Sequence, residues 1–197
     1  MDKNKFLSKI NEISLKSKYI KTYPSDVVNV MKGIGRITGE TDKQHIEFLK
    51  LTNGMSILDY CFWGIKNSRL YPKNIYDEIL YLWSKHNLTS LYFWCVAGNS
   101  EGEYFGYIPI KDDKGNHFIA YFNESHPEQL IILSSSFEKF LESFFSVIST
   151  SLNKDCDLLN IDYRKLFCNE NYHAPYLIDY LNKNPREIDL LHVHKKN

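Results

Sequence analysis

The segment 48–54, with the sequence FLKLTNG, limits what this chain can fold into more than any other feature. Its apolar residues run at helical spacing up to Asn53-Gly54, a pair that tolerates the left-handed conformation found at the end of a helix. The stretch Cys61-Phe62-Trp63-Gly64 follows and has the aromatic composition of a strand. About eighty residues later, Ser136-Phe137 begins another helix directly after a strand. Together the two junctions frame one α+β module without an obvious catalytic group.

Apolar spacing also predicts helices at the N-terminal end. Phe6, Ile10 and Ile13 form a helical stripe over residues 3–16, and a second helix is expected to open at Tyr23-Pro24. Six lysines in the first 21 residues make this end basic. We interpret them as the solvated face of a helix rather than as a membrane-binding surface.

Capping signals place two further helices in the first half of the chain. Residues 41–44 fit a capping box with Thr41 as N-cap and Gln44 at N3, ahead of a helix that turns Ile46, Leu49 and Phe48 inward. Residues 74–87 return to helical spacing. Their predicted inward side chains are Ile75, Ile79, Leu80 and Trp83.

Strand signals fill the middle of the chain. Asp112 to Gly115 has the composition of a hairpin turn, which joins two runs of alternating or continuous apolar residues. Because the strands follow one another through turns, we expect a single antiparallel sheet of about four to six strands. The predicted strands are 56–65, 91–97, 104–110, 117–122 and 130–133.

The last strong helix begins at Ser135-Ser136 and is expected to pack across the sheet. Its predicted apolar face consists of Phe137, Phe140, Leu141, Phe144, Phe145 and Ile148. After it, residues 156–183 have helical character in two pieces. We therefore predict an α+β domain over residues 1–150 and a C-terminal helical extension over residues 151–197.

Composition excludes several classes of protein. Lys+Arg and Asp+Glu are equal at 24 each, whereas a dedicated nucleic-acid binder usually has a basic excess. The four cysteines are widely spaced, form no Cys-x-x-Cys pair and suit a reducing compartment. We expect no signal peptide and no membrane span, and hence a cytoplasmic protein.

Nothing in the spacing of reactive residues predicts an enzyme. The seven histidines match no standard metal site, and Cys95 lies in an apolar strand where burial makes a thiol inert. The glycines of segment 98–102 lack the helix that a phosphate-binding loop needs, so a tight turn between strands is expected. We predict no cofactor and no metal. A cleft lined by His117, Tyr121 and Glu103 would revive the enzyme hypothesis.

Charge is the one feature that could mark a partner site. Residues 98–145 contain eight Asp and Glu residues but only three lysines, although the whole chain has no net charge. An acidic surface could imitate phosphate and speed association with a basic protein. The alternative is that these are turn residues and a solvated rim. The predicted partner-binding residues are Glu101, Glu103, Asp112, Asp113 and Glu124.

The order of the short motifs resembles the SUKH superfamily, which groups cell-wall-assembly regulators with bacterial immunity proteins. The resemblance covers roughly residues 20–150, and the chain departs from it at residues 37–40, where the family usually has a Leu-Pro pair. The motif residues are the F-L-x-x-x-N-G end with Asn53 and Gly54, the strand residues Trp63 and Gly64, and Ser136, Phe137, Phe140 and Leu141 of S-F-x-x-F-L.

The resemblance implies a mixed α+β fold without catalytic activity. In a bacterium it implies a protein that binds a cognate toxin domain, for which a nuclease is one candidate, and covers its active site. The alternative is a regulatory interaction scaffold of the cell-wall-assembly regulator type, without a toxin partner. The sequence leaves open the identity of the toxin, the binding face, the oligomeric state and the role of residues 151–197.

Overall fold

A computed structural model describes residues 2–16, 20–23, 42–65, 74–86, 89, 93–127, 130–153 and 191–192. These residues contain four helices and eight strands. In chain order they are α1 (Lys3–Lys16), β1 (Ile20–Thr22), α2 (Lys43–Leu51), β2 (Met55–Ile57), β3 (Tyr60–Phe62), α3 (Ile75–Lys85), β4 (Trp94–Gly98), β5 (Glu103–Lys111), β6 (His117–Asn123), β7 (Leu130–Ser134), α4 (Phe137–Asn153) and β8 (Leu191–His192).

The strands form one sheet in which spatial order follows chain order from β1 to β8. Neighbouring strands from β1 to β7 pair antiparallel, and the two residues of β8 pair parallel to β7. The predicted α+β fold with one antiparallel sheet is therefore confirmed. The sheet has more strands than predicted, because β1 and β8 are too short to show an alternating pattern in the sequence.

The single strand predicted over residues 56–65 is a hairpin of two short strands. β2 and β3 pair Met55 with Phe62 and Ile57 with Tyr60. Between them Leu58 adopts a positive φ of 60°, which a branched apolar residue seldom does. The prediction missed this turn because Leu58 looks like a strand residue.

Both faces of the sheet are covered by helices. In β6, Ile119 and Tyr121 belong to a core with residues of α1, α2 and α4, whereas Phe118, Ala120 and Phe122 belong to a second core with residues of α3. This alternation follows from the period of two along a strand. A sheet covered on both faces leaves its strand ends and connecting turns as the exposed parts.

Helix α4 packs on the sheet through the predicted face. All six of its predicted apolar residues are buried. The ring centroids of Phe140 and Phe144 lie 5.1 Å and 6.0 Å from that of Phe105 in β5. Each buried Phe contributes about 1.5–3 kcal/mol, so this face is a major part of the core.

Helix α1 lies where the apolar stripe predicted it and packs beside α2 and α4. Phe6 and Ile10 are buried, and the Phe6 ring meets the Phe48 ring edge-on at 5.7 Å. The structure does not describe the side chain of Ile13. The helix predicted to open at Tyr23-Pro24 lies outside the described residues.

The N-cap of α2 is Asp42 and not Thr41, which corrects the predicted capping box by one residue. The Asp42 carboxylate accepts hydrogen bonds from the backbone N–H groups of Gln44 and His45. Gln44 then has another role, since its Oε1 accepts from the backbone N–H of Glu138 at 2.8 Å. Residues 42–45 therefore connect the start of α2 to the start of α4.

The end of α2 also differs from the prediction. The C-cap is Thr52 in an extended conformation, and of the Asn-Gly pair only Gly54 has positive φ, at 93°. Asn53 acts through its side chain, whose Oδ1 accepts from the backbone N–H of Ile65 at 2.9 Å. Phe48 and Leu49 are buried as predicted, while Ile46 is half-buried and His45 faces the core instead.

The helix predicted over residues 74–87 is confirmed as α3, but one of its predicted inward residues is exposed. Asn74 and Asp77 form a capping box at its start. Leu80 is 54% exposed, and Leu82 takes the buried place. Of the predicted C-terminal extension the structure describes only 151–153, which end α4, and 191–192, so the boundary at residue 150 stays a prediction.

Candidate functional site

The five predicted partner-binding residues divide between the two ends of the β5–β6 hairpin. Asp112 and Asp113 lie in the turn that closes the hairpin, between Lys111 and His117. Glu101, Glu103 and Glu124 lie at the opposite end, where Glu103 pairs with Asn123. β5 has nine residues, so the two groups are about 25 Å apart. We call residues 112–117 the turn end and residues 99–103 with 123–125 the acidic end.

At the turn end, the carboxylate of Asp112 is occupied by its own turn. Its Oδ1 accepts from the backbone N–H groups of Lys114 and Asn116, and its Oδ2 accepts from the Asn116 side chain at 3.0 Å. Gly115 completes the turn with a φ of 79°. Asp113 is exposed. The predicted hairpin turn is therefore correct, and the oxygens of Asp112 point back into it.

Behind the turn end lies a buried cluster around Asp42. The side chains of Asp42, His45 and His117 are each about 1% exposed. Asp42 Oδ2 accepts from the backbone N–H of His117 at 3.1 Å and lies 3.2 Å from its Nδ1. This contact joins the start of α2 to the start of β6.

The cluster shifts two pKa values. Burial raises the pKa of the Asp42 carboxyl, but hydrogen bonds from the ring and backbone of His117 and the backbone of His45 outweigh it and hold the pKa below its ordinary value. Burial lowers the pKa of His45 to about 4, against the attraction of Asp42. Asp42 is therefore ionised and His45 neutral near pH 7.

At the acidic end, Glu103 is held by three donors. Its carboxylate accepts from the hydroxyls of Tyr60 at 2.5 Å and Tyr121 at 2.7 Å, and from Asn99 Nδ2 at 2.9 Å. These groups come from β3, β6 and the β4–β5 turn. Nearby, partial burial and the charge of Glu103 raise the pKa of the Asp59 carboxyl in the β2–β3 turn. Two carboxylates, one from β5 and one from the β2–β3 turn, thus lie close together.

Glu124 belongs to the other face of the same end. Its Oε1 accepts from the Tyr104 hydroxyl at 3.0 Å, and Tyr104 stacks on Trp63 with ring centroids 6.1 Å apart. Burial, together with the contact to Glu124, raises the pKa of Tyr104 well above its ordinary value, so the phenol remains a donor. Glu101 is exposed on the β4–β5 turn.

An open depression lies beside these residues. It has a volume of about 580 Å³ and is bounded by the β4–β5 turn, the loop after β6 and helix α3. Trp63, Tyr81 and Tyr104 contribute aromatic surface to its lining. The carboxylates in its lining are Glu78, Glu101 and Glu124.

Two glycines give the depression its shape. A Cβ at Gly98 would lie 2.7 Å from Trp63 Cη2 and 2.7 Å from Tyr104 Cδ1, so only glycine lets these rings approach the strand. Gly102 has a φ of 80°, and its carbonyl accepts from the backbone N–H of Glu124 at 2.9 Å. The segment 98–102 is therefore the tight turn that the sequence predicted.

The structure does not assemble the cleft that would have revived the enzyme hypothesis. Glu103 and Tyr121 are hydrogen-bonded at the acidic end, but His117 is buried against Asp42. Tyr121 lies four positions after His117 in β6, about 13 Å along the strand. Burial raises the pKa of the Cys95 thiol well above its ordinary value, which makes it a poor nucleophile.

Metal chemistry has no support in the described part of the chain. Within it, no group of three or more His, Cys, Asp or Glu side chains is placed to hold an ion. Four of the seven histidines have described side chains there, and that of His117 already contacts Asp42. The remaining histidines, His173, His192 and His194, have no described side chains.

The predicted structural-motif residues are mostly buried. Gly64 has no room for a side chain, because a Cβ would lie 2.1 Å from the carbonyl oxygen of Asn53. Trp63 is 7% exposed and lines the depression. The other motif residues build the junction between α2 and β2 or the start of α4, and they are Asn53, Gly54, Ser136, Phe137, Phe140 and Leu141.

Reasoning from the sequence missed the tyrosines and the asparagine that position the carboxylates. Tyr60 and Tyr121 reach Glu103 across 43 and 18 residues of sequence. The available signal was the alternation of β5 and β6, which places Tyr121 opposite Phe105 near the end of the hairpin. The correctly predicted turn did not fix that register, because the pairing of β5 with β6 shifts between Tyr107 and Lys111.

Comparison with known families gives one match. The family described as SMI1 / KNR4 family (SUKH-1) matches residues 42–143, which is just over half of the chain. The matched region begins at the N-cap of α2, ends within α4 and contains the whole acidic end. No curated protein matches the chain. Among the described helices, none is both long and apolar enough to cross a membrane.

Proposed function

Because the chain belongs to the SMI1/KNR4 family (SUKH-1), we propose that it is a non-enzymatic immunity protein that binds a cognate toxin domain and covers its active site. Family membership supports an immunity-like or regulatory role through protein–protein interaction. The match over residues 42–143 is the observation that carries the proposal. An immunity protein acts where its toxin acts, and we place this one in the bacterial cytoplasm.

The acidic end is the surface that we assign to the partner. Glu101 and Glu124 line the depression on one face of this end, and Glu103 and Asp59 lie on the other face. A nuclease is one candidate for the toxin, and a toxin that acts on nucleic acid needs a basic substrate site. Carboxylates placed opposite such a site would compete with phosphate and speed association.

Fixed geometry favours binding by this surface. Glu103 is held by Tyr60, Tyr121 and Asn99 before any partner arrives, and Glu124 is held by Tyr104. Side chains that are already ordered lose less conformational entropy on association. Asp112 and Asp113 lie at the other end of the hairpin, so the surface that we propose leaves out these two predicted residues.

The second candidate is a regulatory interaction scaffold without a toxin partner, which the same family membership supports. It would use the same fold on an endogenous protein. The two candidates differ in a single consequence: only an immunity protein rescues growth of a cell that expresses the toxin.

The test begins with capture of partners by the tagged full chain from native lysate, at low and high salt, with identification by mass spectrometry. The captured domain is then expressed in a host with and without the chain. Restored growth supports the immunity function. Growth arrest that the chain cannot relieve, at equal expression of both proteins, contradicts it.

A control variant distinguishes weaker partner binding from a lower amount of soluble protein. Charge reversal at Glu101, which is exposed, leaves the core untouched and should weaken rescue. Reversal at Asp113, equally exposed but at the turn end, is the matched change. Equal soluble levels of both variants must accompany the comparison. Rescue by the Glu101→Lys variant at the level of the unchanged chain would contradict the assigned surface.

A further inference from the structure

Asn53-Gly54 is the only Asn-Gly pair in the chain, and the proposed partner surface does not include it. In such a pair the backbone nitrogen of the glycine attacks the side-chain carbonyl carbon of the asparagine, because glycine has no Cβ to block the approach. A cyclic imide forms, and the side-chain nitrogen leaves as ammonia with the proton of the glycine N–H. Water then opens the ring at either carbonyl and gives aspartate or isoaspartate. The reaction needs only water and a side chain that is free to turn.

The backbone of the pair is fixed by contacts with the end of β1. The Asn53 N–H donates to the carbonyl of Tyr23 at 2.9 Å, and the Gly54 carbonyl accepts from the backbone N–H of Tyr23 at 3.3 Å. The Thr52 hydroxyl lies 2.5 Å from the Gly54 carbonyl oxygen and 2.9 Å from that of Tyr23. The peptide group that must rearrange is therefore held on both sides.

The Asn53 side chain is held as well. Its Oδ1 accepts from the backbone N–H of Ile65 at 2.9 Å. The Gly64 backbone lies directly against it, since a Cβ built on Gly64 would be 2.5 Å from Asn53 Oδ1. A rotation of this side chain would break the hydrogen bond and meet closely packed backbone, so the side chain keeps one orientation.

The contact with Ile65 has two opposing effects on the reaction. A backbone N–H on Oδ1 polarises the side-chain carbonyl and stabilises the oxyanion that forms during the attack. The attack also requires that Asn53 Cγ turn toward Gly54 N and become tetrahedral, and a misplacement of about 1 Å costs roughly a hundredfold in rate. Because the peptide group and the side chain are both fixed, we expect the loss of motion to prevail.

We propose that Asn53-Gly54 is a protected deamidation site, which stays intact while the α2–β2 junction (residues 52–54) is closed and reacts with water once it opens. The inference is independent of the proposed function. Isoaspartate adds a main-chain carbon where Gly54 already has a φ of 93° and Gly64 leaves no room for a side chain. The product cannot restore the closed junction, so the modification permanently marks chains that have opened.

The test compares the full chain with a synthetic peptide of residues 50–57 in the same mildly alkaline buffer. Deamidation is followed by mass spectrometry after digestion, and isoaspartate is counted by enzymatic methylation. We expect Asn53 to react at least about tenfold more slowly in the folded chain, because only the opened fraction reacts. Urea below the unfolding transition should raise the rate in the chain and leave that in the peptide unchanged.

Two variants distinguish the contacts at the junction from stability in general. Thr52→Val removes the hydroxyl from the Gly54 carbonyl and should speed deamidation of the folded chain about threefold to tenfold. Gly115→Ala is the matched control, because it lowers stability at the turn end and leaves the contacts of Asn53 in place. It should change the rate at Asn53 by less than about twofold.

Each outcome decides for or against the protected site. A rate in the folded chain that equals or exceeds the rate in the peptide would overturn it, and a faster rate would make the Ile65 N–H a promoter of the reaction. Equal acceleration by Thr52→Val and Gly115→Ala would overturn the role of the α2–β2 junction. If Thr52→Val does not fold, the comparison of the full chain with the peptide still decides.

Discussion

The two ends of the β5–β6 hairpin both carry carboxylates, but they use them in opposite ways. At the turn end Asp112 accepts from its own turn, and Asp42 is buried against His117. At the acidic end the tyrosine hydroxyls hold Glu103 and Glu124 at the open end of the β5–β6 hairpin. A count of acidic residues along the chain therefore mixes structural groups with groups that a partner can reach.

The largest effect should follow from removing the buried carboxylate behind the turn end. Asp42→Ala removes the N-cap of α2 and leaves the donors of His45 and His117 unsatisfied in the core. We expect a loss of about 3–5 kcal/mol in the free energy of unfolding, measured by urea denaturation. Asp113→Ala at the exposed turn should change it by less than about 0.5 kcal/mol. Equal losses for Asp42→Ala and Asp113→Ala would contradict the division between a buried structural carboxylate and an exposed one.

The same cluster predicts how stability depends on pH. The pKa of His45 is about 4 in the folded protein against about 6.5 unfolded, so the unfolded state binds more protons between these values. Stability should be complete above pH 6.5 and fall by about 3 kcal/mol as the pH drops to 4. The lowered pKa of Asp42 adds a further loss in the same direction at lower pH.

A variant isolates the histidine. His45 stacks between aromatic rings, with Phe137 at 5.1 Å and Phe48 at 6.2 Å, so a phenyl ring suits the site. His45→Phe should remove most of the slope between pH 6.5 and 4, measured by urea denaturation at each pH. An unchanged slope would assign the acid sensitivity to other groups.

At the acidic end, a single methyl group should disturb the aromatic wall. Gly98→Ala brings a Cβ within 2.7 Å of Trp63 and Tyr104, and we expect a loss of about 1–3 kcal/mol with an altered environment of the Trp63 ring. Gly115→Ala is the matched change at the turn end, where nothing lies within 4 Å and only the positive φ costs about 1 kcal/mol. A blue or red shift of tryptophan fluorescence should accompany only the first.

A smaller stability effect should come from replacing the hydrogen-bonded carboxylate at the acidic end. Glu103→Gln keeps the shape but weakens the bonds from Tyr60 and Tyr121, and we expect a loss of about 1 kcal/mol, measured by thermal unfolding. A loss as large as that of Asp42→Ala would mean that Glu103 is a structural group rather than one prepared for a partner.

Local patterns predicted the four described helices and strands β4 to β7, because their causes lie within a few residues. The alternation of β6 and the face of α4 follow from periods of two and 3.6. The turn at Asp112 follows from its composition. The predicted N-cap of α2 was wrong by one residue. The contact that favours Asp42 as the N-cap is a hydrogen bond from the backbone of His117, which is 75 residues away.

The candidate site could be predicted only as a list of acidic residues. Their division between two ends depends on the register of β5 with β6, which pairs Glu103 with Asn123 and Lys111 with His117. The tyrosines that hold Glu103 come from β3 and β6 and carry no local signal. The depression depends on Gly98 and on helix α3, and their relative position is set only by the fold.

The assignment of the acidic end to the partner is tested most directly by the association rate of the captured toxin domain with the Glu101→Lys and Asp113→Lys variants at low and high salt. Both variants change the charge equally. We expect Glu101→Lys to slow association about tenfold at low salt and much less at high salt, and Asp113→Lys to change it less than about twofold. Equal slowing by both variants, or greater slowing by Asp113→Lys, would contradict it.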